Sequence, residues 1–216
     1  MFKPTALASR LVAAFVLFVS MAFTPCVAAP DPQAARVLVE QTARRMVDAL
    51  QDPAARHDAD RLRGLVDAHL VPQVDFQVCS RMVLGPRWRD ATQAQRDAFV
   101  YEFRELLVTF YTGVLGTFLQ SREVPHDMMS FDPAVTAAGE REAVVHSQVR
   151  QPDSGSVPVD YRMLWRDGWK VVDVSVAGVS MVVSYRSEFA GTAARSGLDG
   201  LIAELQARNR RQARAP

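Results

Sequence analysis

Three short stretches of this 216-residue chain carry side chains that could do chemistry. GVSMV (178–182) resembles the elbow that presents a nucleophilic serine, but valine stands where the motif requires its second glycine. HDAD (57–60) has the composition of a metal cluster, yet its spacing matches no standard site, and a solvated helix start is the alternative. Cys79 lies among apolar residues, so we expect a buried side chain rather than a reactive thiol. None of the three predicts catalysis strongly.

The N-terminal segment predicts export. Lys3 and Arg10 precede an uncharged apolar run (11–23), which is followed by small residues at 26–29. A basic start, an apolar stretch of this length and a small-residue exit are typical of a secretory signal peptide rather than a membrane span. We expect cleavage after Ala28, so that residues 1–28 leave and residues 29–216 form a single mature domain.

Cleavage changes what the composition implies. The remaining 188 residues can bury a substantial core, and the formal charge falls from +1 to −1 because Lys3 and Arg10 leave while no acidic residue does. Such a balance does not favour a nucleic-acid partner. Cys26 also leaves, so Cys79 has no partner within the chain and packing must hold the fold together.

The pattern predicts helices first. Asp31-Pro32 supplies a cap and a first-turn proline for one helix, and a second apolar stripe (62–70) stops at Pro72. A short third helix opens at Asp75 and ends before Gly85. Thr92 and Gln95 form a capping box for the longest helix. Its apolar stripe is wider than one helix-to-sheet contact needs: Phe99, Val100, Phe103, Leu106, Leu107, Phe110, Tyr111, Val114, Leu115 and Phe118.

Beyond about residue 121 the apolar period changes to two, which predicts strands. Residues 143–149 form one strand, and 157–165 and 169–174 form a hairpin around the turn at 166–168. Helical spacing returns after Gly178, and a last helix follows Gly197. The predicted class is α+β, with helices against one face of an antiparallel sheet.

Three segments carry a family resemblance. LGPRWRDATQAQRDAFVYEF (84–103), VPVDYRMLWRDGWKVVDVSVAGVSMVVSYRSEF (157–189) and GLDGLIAEL (197–205) closely resemble the MlaC family of periplasmic phospholipid-binding proteins, also known from toluene-tolerance operons. The resemblance covers nearly the whole mature chain in the same order. It implies an NTF2-like curved antiparallel sheet wrapped by helices, with an apolar cavity for acyl chains.

The resemblance also implies a function. MlaC-like proteins carry phospholipid across the periplasm between an outer-membrane lipoprotein–porin complex and an inner-membrane ABC transporter with an MCE-domain subunit, which maintains outer-membrane lipid asymmetry. It implies no enzymatic activity and no cofactor, with bound phospholipid as cargo. A related carrier for a hopanoid-type lipid is the first alternative.

Physical chemistry is consistent with this expectation. Two acyl chains of about 30 methylenes together represent on the order of 24 kcal/mol of exposure to water, so a carrier must supply a surplus of inward apolar surface. For any single candidate, ordinary core is the better default, and only the family resemblance favours a pocket for the set. The predicted pocket residues are Phe103, Leu107, Phe110, Tyr111, Val114, Val145, Tyr161, Met163, Val174, Met181, Val182 and Tyr185.

Arginines are candidates for polar contacts. Arg87, Arg89 and Arg186 could meet a phosphate headgroup or an acidic partner, since guanidinium pairs well with phosphate; ion pairs with Asp90 or Glu188 are the alternative. The basic tail predicts a helix end that complements the helix dipole, with docking as the other interpretation; it comprises Arg208, Arg210, Arg211 and Arg214.

One enzymatic alternative remains. NTF2-like folds also host isomerases and dehydratases that use a pocket Asp together with a His, and Asp173 with His146 is the best such pair in this chain. This hypothesis rests on fold analogy alone.

Overall fold

The computed structural model describes residues 30–120, 124–151 and 155–213. The predicted signal peptide, the centre of the turn at 152–154 and Arg214 lie outside these ranges. In the described part of the chain, no helix is both long enough and apolar enough to cross a membrane.

Three N-terminal helices begin with side-chain caps. Helix α1 (Pro32–Ala49) starts as predicted, with Asp31 accepting a 2.9 Å hydrogen bond from the Gln33 amide. Helices α2 (Pro53–His57) and α3 (Ala59–His69) follow. The Asp58 carboxylate accepts from two amides at the start of α3, so the acidic stretch at 57–60 acts as a helix start.

The middle of the chain is also helical. A 3₁₀ turn (Val71–Gln73) leads into α4 (Phe76–Leu84), α5 (Arg87–Asp90) and the 28-residue α6 (Gln93–Gln120). The predicted capping box of α6 is confirmed, because Gln95 N donates to Thr92 Oγ1 and Thr92 N donates to Gln95 Oε1.

Five antiparallel strands in sequential order form the sheet: β1 (Met129–Gly139), β2 (Glu142–Gln151), β3 (Gly155–Trp165), β4 (Trp169–Val176) and β5 (Val179–Ser180). The predicted hairpin is β3–β4. Register shifts interrupt the β1–β2 and β3–β4 ladders, and such bulges bend and twist strands. The sequence analysis missed β5, which occupies two positions predicted as helix.

Helix α7 (Met181–Gln212) contains a break at Gly197, whose φ of 66° and ψ of −173° are not helical. Before the break it runs antiparallel to α6, with Phe189 against Phe99. After the break it runs in the direction of α6, since Asn209 bonds to Glu102. The predicted division at Gly197 is therefore confirmed.

Apolar packing falls into three clusters. The helix cluster joins α4, α6 and α7: Cys79, Val83, Leu84, Phe99, Phe103, Leu106, Val182, Tyr185, Phe189, Ala193, Leu201, Ile202 and Leu205. The N-terminal cluster joins α1, α3 and α6: Met46, Val47, Leu50, Leu62, Val66, Val108, Leu119 and Val124. The sheet cluster joins α1 to the strands: Ala35, Val39, Ala143, Val145, Met163 and Trp169.

This division is unusual, because domains ordinarily bury one contiguous core. Helix α1 covers part of the sheet and is tied to it where Trp169 Nε1 donates to the Asp31 carbonyl oxygen at 3.0 Å. Helix α6 instead packs mainly on other helices. The predicted α+β class, with an antiparallel sheet covered by helices, is confirmed.

Candidate functional site

Helix α6 has an apolar face that no cluster fully covers. One side of the helix enters the helix cluster through Phe103, and another enters the N-terminal cluster through Val108. With 3.6 residues per turn, Leu107, Tyr111 and Val114 lie on the arc between these sides. Leu107 is half-buried, whereas Tyr111 and Val114 are 38% and 52% exposed. Leu107 packs against the helix cluster, so the uncovered arc consists of Tyr111 and Val114, where apolar surface exceeds what the core uses.

A shallow, largely open depression of about 650 Å³ lies along the same helix. Small residues line it at every fourth position of α6, namely Thr109, Gly113 and Thr117. Phe110 and Val114 of α6 and Gln212 from the end of α7 complete the lining. Phe110 and Val114 continue directly into the uncovered arc. We call the arc and this opening together the α6 cleft.

A second opening, of about 490 Å³, lies between α1 and β1. Its walls carry the charged groups of Glu40, Arg44, Asp48 and Asp127. Apolar chains would leave these charges poorly solvated, so this opening is a worse match for an apolar ligand than the α6 cleft.

Tyr111 connects the α6 cleft with the start of α7. Burial, then the nearby Tyr185 and Asp173, together raise the pKa of Tyr111 to about 12. Burial likewise raises the pKa of Tyr185, with a contribution from Glu188 that Arg208 opposes. Both hydroxyls therefore stay neutral at physiological pH and are available as hydrogen-bond donors beside an apolar wall.

The sheet contributes a second apolar surface. Tyr161 pairs with Val145 on one side and with Val174 on the other, so these side chains share a face of the sheet. Burial raises the pKa of Tyr161, and a hydrogen bond with Ser147 lowers it in part. Ser147 is buried and donates to the Val159 carbonyl oxygen at 3.0 Å. The Ser147 hydroxyl on this face therefore has its hydrogen-bond partner within the sheet.

The twelve predicted pocket residues fall into different environments. Phe103, Val182 and Tyr185 are buried in the helix cluster, and Leu107 and Met181 pack against it. Val145 and Met163 are fully buried in the sheet cluster, which Tyr161 contacts, and Val174 is half-buried on β4. Phe110, Tyr111 and Val114 are the most exposed. The structure brings Tyr111 and Tyr185 together but places Val145 and Met163 against α1.

The predicted arginines have different surroundings. Arg186 Nε donates to the Met82 carbonyl oxygen at 2.9 Å, and Glu188 pairs instead with Arg208 at 2.8 Å. The alternative of an Arg186–Glu188 ion pair is thus wrong, because Arg186 points towards the end of α4. Arg87 and Arg89 are exposed on α5. Arg210 and Arg211 lie in the last turn of α7, as the helix-dipole interpretation predicts.

The residues of the enzymatic hypotheses are engaged elsewhere. Asp173 accepts hydrogen bonds from Ser180 Oγ at 2.5 Å and from the Val182 amide at 3.0 Å, so both Asp173 and Ser180 cap α7. His146 Nδ1 instead lies 2.7 Å from Asp160 Oδ1 on the neighbouring strand. Asp173 is a further strand away, which separates the proposed acid–base pair.

Sequence reasoning missed the small residues of the α6 cleft. Thr109, Gly113 and Thr117 lie four positions apart, a spacing that places them on one helix face. That regularity was a usable signal for a groove along α6. Gln212 carried no such signal, because its approach to α6 depends on the reversal at Gly197.

The fold and the α6 cleft define an α+β domain with an uncovered apolar surface along α6, its longest unbroken helix. The sequence profile described as MlaC protein matches residues 40–207. The chain therefore belongs to the MlaC family, and the resemblance inferred from sequence is confirmed.

Individual relatives agree with this assignment. The chain is 25% identical over 199 residues to the intermembrane phospholipid transport system binding protein MlaC of Haemophilus influenzae, covering 89% of this chain and 88% of that protein. It is 30% identical over 151 residues to the toluene tolerance protein Ttg2D of Pseudomonas putida, covering 68% of this chain and 64% of that protein.

A solved structure is also similar. The phospholipid-binding protein of Ralstonia solanacearum, determined in complex with a phospholipid, matches with a TM-score of 0.72 and 28% identity. The match covers 83% of this chain and 99% of that one.

Proposed function

We propose that this protein is a periplasmic carrier that binds phospholipid in the α6 cleft. The observation that carries the proposal is the uncovered arc of Tyr111 and Val114 between two core clusters. Large apolar groups that a domain leaves exposed in a contiguous patch commonly mark a binding site. The phospholipid complex of the Ralstonia relative supports the same ligand class.

The combination of apolar side chains and tyrosine hydroxyls at the α6 cleft matches a lipid better than a compact apolar ligand. Leu107 and Val114 can contact acyl methylenes, each worth roughly 0.8 kcal/mol when removed from water. The hydroxyls of Tyr111 and Tyr185 can donate to ester or phosphate oxygens near the opening. The hopanoid skeleton carries no ester or phosphate oxygens to accept from these hydroxyls, which favours phospholipid over this alternative.

The carrier exchanges cargo with membrane complexes. The Haemophilus relative is named as part of an intermembrane phospholipid transport system. From the resemblance to the MlaC family we infer that the partners are an outer-membrane lipoprotein–porin complex and an inner-membrane ABC transporter with an MCE-domain subunit. Binding and release need no bond to be broken. The engagement of Asp173, Ser180 and His146 in structural hydrogen bonds supports a role without catalysis.

The experiment is native mass spectrometry of the mature protein purified from periplasm, with lipid extraction of the same sample. An adduct at phospholipid mass is the expected result. A hopanoid mass would support the alternative carrier. A protein that stays empty after incubation with phospholipid vesicles would contradict the phospholipid carrier and leave the hopanoid and enzymatic alternatives.

A further inference from the structure

Three exposed valines lie together where β4 is joined to α7. Val176 and Val179 face each other across the Ala177-Gly178 turn, and Val183 follows one turn into α7. Their side chains are 40%, 60% and 56% exposed. Both turn residues have positive φ, 50° and 79°, as in a two-residue hairpin. The valines thus form an apolar tip on a tight turn rather than a groove.

Arginines border this tip. Arg186 follows Val183 by three positions, which places both on one side of α7. Its guanidinium donates to the Met82 carbonyl oxygen, and Nε lies 4.0 Å from the position that a Cβ on Gly85 would take. Gly85 is separated only by Pro86 from α5, which carries Arg87 and Arg89. Within the described ranges, no carboxylate is within ion-pairing distance of these two arginines.

We propose that this surface docks the protein on an anionic phospholipid bilayer. We call it the valine–arginine corner, and it comprises Val176, Val179, Val183, Arg186, Arg87 and Arg89. The valines enter the boundary between headgroups and acyl chains while the guanidinium groups pair with lipid phosphates. The inference rests on the proposed carrier function, because a protein that exchanges phospholipid must approach a membrane surface.

The small size of the corner favours a bilayer over a protein partner. A stable protein–protein interface needs about 800 Å² from each partner, which is more than three valines and three arginines offer. A bilayer sets no such threshold, because every inserted apolar group and every basic residue adds to binding.

The corner also has a suitable position. It lies at the N-terminal end of α7, which Asp173 of β4 caps and where Tyr185 lies. Tyr111 of the α6 cleft is close enough to both groups for them to raise its pKa. A bilayer at the corner is therefore near the opening of the cleft.

The test uses vesicle flotation of the mature chain, with phosphatidylcholine vesicles that contain or lack phosphatidylglycerol. Val183→Glu is the informative variant. Position 183 is the third residue of α7 after the Ser180 cap, so glutamate completes a capping box and should keep the helix stable. Val183→Gln makes the same cap without charge. Arg210→Ala with Arg211→Ala removes two arginines elsewhere on the surface and serves as a control.

The wild type should float with anionic vesicles, and added salt should weaken this binding. Arg87→Ala and Arg89→Ala should each weaken it roughly fivefold. Val183→Glu should weaken it more than Val183→Gln, while the Arg210/Arg211 control should bind like the wild type. Equal flotation of Val183→Glu and wild type, or an equal loss in the control, would overturn the proposal.

Two further outcomes test the docking proposal and the carrier function. Binding only to vesicles from native membrane extract, abolished by protease treatment of that extract, would assign the corner to a protein partner and overturn the bilayer proposal. Native mass spectrometry of the same samples tests the proposed carrier function separately from the docking proposal. The corner variants should keep bound phospholipid, and an empty wild type that still floats would contradict the carrier function alone.

Discussion

Ser180 Oγ donates a 2.5 Å hydrogen bond to Asp173 Oδ2, and the same hydroxyl accepts from the Val183 amide. The other Asp173 oxygen accepts from the Val182 amide. A serine in a hydrolase-like elbow and a carboxylate in a strand thus satisfy amide groups that the first turn of α7 would otherwise leave unpaired. This contact joins β4 to the helix that borders the α6 cleft.

Removal of this contact should affect stability rather than lipid binding. We predict that Ser180→Ala lowers the free energy of unfolding by about 1 kcal/mol and that Asp173→Asn lowers it by about 1–2 kcal/mol. Phospholipid occupancy should stay at the wild-type level. Urea unfolding and native mass spectrometry measure the two quantities. Lipid turnover by the wild type that disappears in Asp173→Asn would support the enzymatic hypothesis instead.

Val114→Asn should weaken phospholipid binding roughly tenfold, because it places an amide against acyl methylenes. Val114 is already 52% exposed, so the free energy of unfolding should change by only about 0.5 kcal/mol. Val37→Asn, at a 40% exposed valine of α1, is the matched control. Displacement of a fluorescent phospholipid measures both. An equal loss of affinity in the two variants would argue against the α6 cleft.

Two glycines should respond oppositely to alanine. Gly64 lies inside α3, and no atom comes within 4 Å of the place that an added methyl group would occupy, so Gly64→Ala should stabilise by about 0.5–1 kcal/mol. Gly197 adopts φ 66° and ψ −173°, a region open almost solely to glycine, so Gly197→Ala should destabilise by about 1–3 kcal/mol. Thermal and urea unfolding measure the change in the free energy of unfolding for each variant. Stabilisation by Gly197→Ala would mean that α7 does not reverse there.

Alkaline pH should destabilise the fold through Cys79. Burial, then Asp75 and Asp173, raise the pKa of this thiol from 9.0 to about 12. Above pH 9 the unfolded chain loses the thiol proton while the folded chain keeps it, so the free energy of unfolding falls until about pH 12. Cys79→Ala should show a shallower decline across this range. Parallel declines would indicate that the thiol is not protected from ionisation.

Local signals predicted much of the fold. Asp31 and the Thr92–Gln95 pair mark helix starts through hydrogen bonds made within a few residues, so sequence alone suffices to place them. Alternation along β3 and β4 likewise predicted the hairpin. Gly197 was found because its conformation requires glycine.

Contacts between distant segments were harder to predict. The two residues of β5 follow a helical pattern, and their pairing with β4 depends on the Ala177-Gly178 turn. The sequence predicts a phosphate or a carboxylate as the partner of Arg186, but the carbonyl that it reaches belongs to α4, 104 positions away in sequence. Phe103 and Val114 share one apolar stripe, yet only the packing of α7 makes one buried and leaves the other exposed.

The central claim is that the α6 cleft holds an acyl chain. Its most direct test is photo-crosslinking with a phospholipid that carries a diazirine in one acyl chain, followed by mass-spectrometric mapping of the labelled peptides. The account predicts labels near Leu107, Tyr111 and Val114 and at the start of α7. Labels concentrated at the charged opening between α1 and β1, around Asp48, would contradict it.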